Sequence, residues 1–384
     1  MPYEMIIKQS RMWEIESRNI DGYTFKCCTI FYGSKTNKII KMKSDLNIAY
    51  CIANPAIKID IFIVKTVYRI YNFFILTNII SKIYKTNKID VIISNSNALR
   101  ELEIAALIIS KLNSIPMLGY IGKNFMVDEP VGKKITEKIT HIIETLILRY
   151  VDRVILRPKS EKYYTELYQL NPSKIITVPH ITKFHKIGHS SKIPMALYEW
   201  IKGKKLIFYY GRLEKDKLVD DIIKAFHLVR ESHDYVFLLI IGSGNDKNAL
   251  KNLAINLGVN DYLRWEEPLS QKILSRISIL ADIHVHPTGG KGLLESAVIG
   301  RPVITNDSST HDYGLIEHMK SGLKSEYRKF DDMAKCINNY LENPDLGIKH
   351  GKKLKEKALA HSDINKIQQK ISFAIEDLIS KRYL

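Results

Sequence analysis

LIFYYGRLEKDKLVDDIIKAFHLV, residues Leu206–Val229, sets the fold. Its first part, Leu206–Tyr210, is a short run of apolar and aromatic side chains with no polar alternation. Such a run reads as a strand buried on both faces. Gly211 lets the chain turn at the strand's carboxyl end. After Asp220 and Asp221 the apolar positions become Ile222, Ile223, Phe226 and Val229, the spacing of a helix with one buried stripe. The same rhythm continues in strand Tyr235–Ile241, helix Asn248–Leu257, strand Ile283–His286, helix Gly292–Ile299 and strand Val303–Thr305. Strands alternating with helices imply a parallel sheet covered on both faces.

A second series precedes it. Thr24–Phe31, Ile89–Ser94, Met117–Ile121, Asp152–Leu156 and Ile175–Pro179 read as strands, and Leu99–Leu112 as a helix. Two series predict an α/β protein with two doubly wound, Rossmann-like domains. The break is expected within His180–Gly203, where Gly188, Pro194 and the polar run His189–Ser190–Ser191 interrupt any period. This gives domains over 1–190 and 191–362, and an amphipathic helix over 363–384.

The chain has 384 residues, 45% apolar and 26% charged. That excludes an intrinsically disordered chain, a collagen and a small disulfide scaffold. The formal net charge is +17, with +12 in residues 1–200 and +5 in the remainder. An excess of this kind points to an anionic partner: a phosphorylated ligand, a membrane surface or nucleic acid. The Ile-, Lys- and Asn-rich composition is the plain alternative. No zinc finger, RNA-recognition aromatic pattern or basic zipper is present, so no nucleic-acid partner is expected. Cys27, Cys28, Cys51 and Cys336 have no metal-ligand spacing and read as buried thiols in a reducing compartment. Met1–Arg11 has no apolar signal core. The apolar, charge-free run Ile70–Ser81 is far shorter than the roughly 20 residues that span a bilayer. A cytoplasmic chain is expected, soluble or peripheral on the inner face of the plasma membrane.

Two strand-to-helix loops carry candidate chemistry. In the first, Arg212 and Lys217 follow Gly211, five residues apart. A planar guanidinium and a mobile ammonium suit the two halves of a diphosphate; the plain alternative is a solvated basic turn. In the second, Pro287–Glu295 (PTGGKGLLE), Gly289, Gly290 and Gly292 flank Lys291 and lead through Leu293 into a helix. Backbone amides at a helix start favour anions, and Glu295 offers a carboxylate to ribose hydroxyls. A plain helix-capping loop is the alternative. Gly242-Ser243-Gly244 lacks the third glycine of a dinucleotide fingerprint, since Lys247 holds that place, and reads as a tight turn.

In their order and spacing, these pieces resemble a family 4 glycosyltransferase of the GT-B fold, a retaining type with two Rossmann-like domains facing across a cleft. The resemblance is strongest over Leu206–Leu341, in YYGRLEKDK, LLIIGSGNDKNALKNLAINLGV, ADIHVHPT, GLLESAVIGRPVITND and LIEHMKSG. It implies a nucleoside-diphosphate sugar (UDP- or GDP-sugar) as donor substrate, no covalently bound cofactor and no required metal. It implies that Arg212 and Lys217 bind the donor diphosphate and steady the leaving group. Glu295 would hold the ribose, as the second glutamate of an E-x7-E motif. The loop of Gly289, Gly290, Lys291, Gly292 and Leu293 would reach phosphate and sugar. The first domain would take a glycan or lipid-linked acceptor, and the terminal helix would pack back toward it. The chain departs from the pattern at Pro287, where the motif's first glutamate would stand, and in the shortness of that loop. Gly119–Gly122 also lacks the family's histidine. His180 and His185 are the candidates in its place, against ordinary packing. These departures leave a non-catalytic GT-B relative, binding a nucleotide or a partner glycosyltransferase, as the second reading.

The basic first half contains two amphipathic stretches. Ile61–Lys85 carries Lys65, Arg69, Lys82 and Lys85, and Gly132–Arg153 carries Lys133, Lys134, Lys138, Arg149 and Arg153. Helices of this composition lie on anionic membranes, or cover a sheet and turn their basic faces to water.

Overall fold

A computed structural model describes residues 27–34, 40–43, 47–53, most of 71–95, 100–120, 135–156, 160–180, Thr182, Phe184, and 192–381 except 310–311. The expectations for Met1–Arg11, for His185 and for Lys65, Arg69, Lys133 and Lys134 lie outside the described residues. The chain divides into two compact units. One is Met1–Val178 with Ile364–Leu384, the other Pro179–Asp363. The divisions lie between Val178 and Pro179 and between Asp363 and Ile364.

In the first unit, β1 (Cys27–Ser34), β2 (Ile40–Lys43) and β3 (Asn47–Ala53) form a sheet in the order β1-β3-β2. β1 runs parallel to β3, but β2 is antiparallel to it. This sheet is therefore not the purely parallel one expected. Only residues 44–46 separate β2 from β3, enough for a hairpin and too few for a crossover. β4 (Ile92–Asn95), β5 (Met117–Tyr120), β6 (Arg153–Leu156) and β7 (Ile175–Thr177) form a second, fully parallel sheet in that order. Helices Arg100–Leu112 and Ile135–Tyr150 connect its first three strands. They bury Ala105, Ile109, Ile147 and Leu148 against Met117, Val154 and Leu156. The helix Ile364–Ser380 belongs to this unit. Its Asp377 Oδ2 lies 2.5 Å from Arg153 Nη2, and Lys370 Nζ donates to the Thr177 carbonyl at 3.0 Å.

The second unit is built on β8 (Lys205–Tyr210), β9 (Val236–Ile241), β10 (Leu263–Glu266), β11 (Ile283–Val285), β12 (Val303–Asn306) and β13 (Leu323–Ser325). All pair in parallel, in the order β10-β9-β8-β11-β12-β13. Counted from β8 this is 3-2-1-4-5-6, the doubly wound order whose direction reverses between the first and fourth strands. One face buries Ile222, Phe226 and Val229 of helix Val219–Ser232 with Ile337 and Leu341 of helix Phe330–Glu342. The other packs Leu197, Phe208 and Ile277 in one cluster, and Leu293, Leu294 and Val298 with Leu354 in another. Each such side chain contributes roughly 1.5–3 kcal/mol by leaving water. β10 and β13 are additional to the strands read from sequence. LRWE and LKS are too short and mixed to carry a period.

Candidate functional site

β8 and β11 are neighbours, with Ile207 opposite Ile283 and Phe208 opposite His284. Continuing that register brings the loop after Tyr210 and the loop after His286 side by side, at the switch point of the sheet. Two motifs about eighty residues apart in sequence therefore share one edge, where doubly wound sheets bind ligands.

The first loop is braced from below. The Leu213 N–H donates to the Ser243 carbonyl at 2.9 Å, and Asp246 N–H donates to the Leu213 carbonyl at 3.1 Å. A Cβ on Gly242 would fall 1.9 Å from the Gly211 carbonyl oxygen, and one on Gly244 2.2 Å from that of Leu213. The Gly-Ser-Gly turn is thus a platform that lets two backbones touch. On top of it, Arg212 is exposed and Lys217 is partly covered. Both reach one carboxylate oxygen, Asp216 Oδ2, at 3.0 Å each.

In the second loop the glycines do different jobs. Gly289 (φ 69°) and Gly290 (φ 87°) adopt backbone conformations that side chains disfavour. Gly290 caps the helix Lys291–Ile299, and the first intrahelical bond runs from Leu294 N–H to the Gly290 carbonyl at 3.2 Å. The N–H groups before it sit at the positive end of the helix. Gly292 is set by contact: a Cβ there would meet His286 Cε1 at 2.7 Å and the Tyr210 carbonyl at 3.2 Å. Leu293 is fully buried in the core, so only its backbone faces the loop. Glu295 is in the second helical turn and 4% exposed. Its Oε1 accepts from Lys291 Nζ at 3.2 Å and Gln271 Nε2 at 3.3 Å, and its Oε2 from the Tyr210 hydroxyl at 3.3 Å.

Residues 196–361 match the family described as glycosyl transferases group 1. This part of the chain is a glycosyl transferases group 1 domain. Among curated proteins, the chain is 23% identical over 206 residues to a poly(ribitol-phosphate) alpha-N-acetylglucosaminyltransferase of Staphylococcus aureus, 53% of this chain and 40% of that protein. It is 28% identical over 152 residues to a GDP-mannose-dependent alpha-(1-6)-phosphatidylinositol monomannoside mannosyltransferase of Mycobacterium tuberculosis, 37% of this chain and 39% of that one. The chain thus spans well under two thirds of either relative. Among solved structures, it resembles sucrose-phosphate synthase of Thermosynechococcus elongatus (TM-score 0.73, 14% identity, 97% of this chain and 94% of that one). It also resembles Anabaena HepE in complex with UDP (TM-score 0.70, 14% identity, 91% and 99%). These neighbours establish the GT-B fold.

Within the group 1 domain, electrostatics separates the loops. Burial raises the Glu295 pKa, and Lys291 pulls it back. Burial, then the Glu295 charge, pushes the Tyr210 phenol well above its usual pKa, so it remains a donor. Beneath Gly292 runs a closed chain of buried groups. His284 Nε2 is 3.0 Å from the Ser278 carbonyl, which can only accept, so Nε2 carries the proton. His284 Nδ1 then accepts from Ser296 Oγ at 2.8 Å, and Ser296 Oγ accepts from His286 Nε2 at 3.0 Å. Burial lowers His284 to about 4 and holds His286 well below its usual value, with His284 a second cause for His286. Both rings are neutral at ordinary pH.

The group 1 domain thus brings Arg212, Lys217, Gly211, the Gly289–Gly292 loop and Glu295 to one sheet edge. His180 stacks edge-on against Tyr313, with ring centroids 5.3 Å apart. Sequence reasoning did not find Gln271, the Tyr210 hydroxyl or His286 as parts of the site. Gln271 opens the helix Gln271–Leu280 with no motif around it, and Tyr210 reads as one more apolar strand residue. Among the described residues, no group of three His, Cys, Asp or Glu side chains is placed to hold a metal ion.

Proposed function

We propose that the protein is a retaining glycosyltransferase that moves a sugar from a nucleoside-diphosphate sugar to a glycan or lipid-linked acceptor. The observation that carries this reading is the pairing of the Arg212/Lys217 loop with the Gly289–Glu295 loop on adjacent strands at the switch point. Arg212 and Lys217 bind the diphosphate. As the sugar–oxygen bond breaks, the departing diphosphate gains negative charge, and fixed cations stabilise that charge in the transition state. Amides of the Gly290–Leu293 turn add the positive end of a helix. Glu295, held by Tyr210, Gln271 and Lys291, accepts from the ribose hydroxyls. The first unit takes the acceptor. The names of the curated relatives, both transferases of sugars to phosphate-bearing acceptors, support the class.

The test is donor turnover by wild type, Arg212→Ala and Lys217→Ala. Each lost charge-assisted contact costs about 1.5–3 kcal/mol, a drop of roughly ten- to a hundredfold. Unchanged turnover in both variants rejects the assignment. Pro287 in place of the first motif glutamate favours one second reading, a relative that binds nucleotide without transfer. Calorimetric binding of UDP or GDP, with no product from any donor and acceptor, would decide for it.

The membrane forms part of the proposal. The helix Ile135–Tyr150 exposes Ile142, Leu146 and Tyr150 at successive fourth positions, with Arg149 beside them. An apolar stripe flanked by positive charge suits the surface of an anionic bilayer. Among the described residues no helix is long and apolar enough to cross one.

A further inference from the structure

The cationic pair is already occupied by a carboxylate. Asp216 Oδ2 is 3.0 Å from Arg212 Nη2 and 3.0 Å from Lys217 Nζ. The neighbouring acids point elsewhere. Glu214 accepts from the Asn245 backbone N–H at 3.2 Å and from its side-chain amide at 3.3 Å. Asp220 is held by Lys224 and Arg328, at 3.1 Å each. Among these acids only Asp216 shares an oxygen between Arg212 and Lys217. One anionic oxygen gathering a guanidinium and an ammonium is the bonding pattern of a bound phosphate oxygen.

We propose that Asp216 is a built-in anion that competes with the donor diphosphate for Arg212 and Lys217, and so sets how readily the nucleoside diphosphate is released. This rests on the reading of the loop as the diphosphate site. A phosphate oxygen and the Asp216 carboxylate cannot use the same N–H groups together. Sharing the site would place like charges within a few ångströms. Binding therefore displaces Asp216 from the pair, and release is helped by its return. The side chain is suited to this. It is more than half exposed, as is Arg212, and exposed ion pairs hold little free energy, so the carboxylate leaves easily. Burial opposes its ionisation, but the bonds from Lys217 and Arg212 outweigh that and keep the carboxyl below its usual pKa. It is therefore a full anion at neutral pH.

The experiment is calorimetric titration of UDP and of GDP into wild type, Asp216→Asn, Asp216→Glu and Asp220→Asn, with dissociation followed by stopped flow. Asp216→Asn should tighten binding of whichever nucleotide wild type takes by about fivefold and slow its release in proportion. Asp216→Glu keeps the charge and should stay near wild type. Asp220→Asn removes a charge that faces Lys224 and Arg328, and should leave affinity unchanged. Uridine and guanosine, which lack phosphate, should not distinguish Asp216→Asn from wild type. Unchanged or weaker nucleotide binding by Asp216→Asn overturns the inference, because the carboxylate then positions the cations and does not compete. An equal gain in Asp220→Asn overturns it as well, since the effect would be general charge. If wild type and Asp216→Asn bind neither nucleotide, the diphosphate reading itself falls, and this inference with it.

Discussion

Gly292 lies so close to His286 that a Cβ would fall 2.7 Å from the imidazole Cε1 and 3.0 Å from Nδ1. The ring cannot yield. Its Nε2 is tied to Ser296, and it packs edge-on against Tyr210 at 5.2 Å between centroids. Gly292→Ala must therefore move the loop or the helix start, costing about 1–3 kcal/mol. In a domain of this size each kcal/mol lowers the melting temperature by roughly 2–4 °C. The variant should melt lower and bind nucleoside diphosphate weakly. Wild-type melting and wild-type affinity together would show that the close contact is not needed.

The buried histidines make the domain acid-sensitive. In the unfolded chain both titrate near 6.5, whereas in the fold His284 is lowered to about 4 and His286 is held well below its usual value. Between these values the unfolded state binds more protons, so stability falls as pH falls from about 6.5 toward 4. Above 6.5 the two rings contribute no slope. For His284 alone the loss by pH 4 is roughly 3 kcal/mol. Urea midpoints at a series of pH values should show this decline, and His284→Asn should flatten it. Identical pH profiles for variant and wild type would place the acid sensitivity elsewhere.

Glu295 offers a way to test the ribose contact separately from the diphosphate contact. Glu295→Gln keeps the shape and leaves the Tyr210 hydroxyl an acceptor, but removes the charge that strengthens hydrogen bonds from sugar hydroxyls. A bond to a charged group is worth about 1.5–3 kcal/mol, so nucleotide affinity should drop roughly tenfold or more. A nucleotide without ribose hydroxyls should bind wild type and Glu295→Gln alike. That cycle isolates the pair. An equal loss for both nucleotides would mean that Glu295 acts by holding Lys291 in place, 3.2 Å away.

The second unit was readable because its first two strands are almost wholly apolar. Lys205–Tyr210 and Val236–Ile241 are buried on both faces and bounded by glycine, so their composition alone marks them. The 3-2-1-4-5-6 order was not readable. It depends on which side of the sheet each crossover helix packs, and no short pattern records that. The same holds for the donors to Glu295. Gln271 lies 24 residues before it and Tyr210 lies 85 residues before it, and only folding brings them together. The hairpin of β2 and β3 escaped because IKMK and NIAYCIA alternate weakly and have no glycine or proline between them.

The apolar stripe of helix Ile135–Tyr150 makes the membrane proposal testable. Ile142 is 58% exposed, Leu146 48% and Tyr150 55%, while Ile147 and Leu148 on the opposite side are buried in the core. Because the inward face already supports the fold, changing the outward face should leave melting unaltered. Leu146→Glu puts a charge into the stripe and removes an apolar side chain worth roughly 1.5–3 kcal/mol when fully buried. Sedimentation with vesicles containing phosphatidylserine should fall about tenfold for this variant. Wild-type binding should also weaken as salt rises, because the basic residues act through a screened field. Equal sedimentation of variant and wild type would remove this helix from the membrane contact, and the +12 of residues 1–200 would then face the acceptor alone.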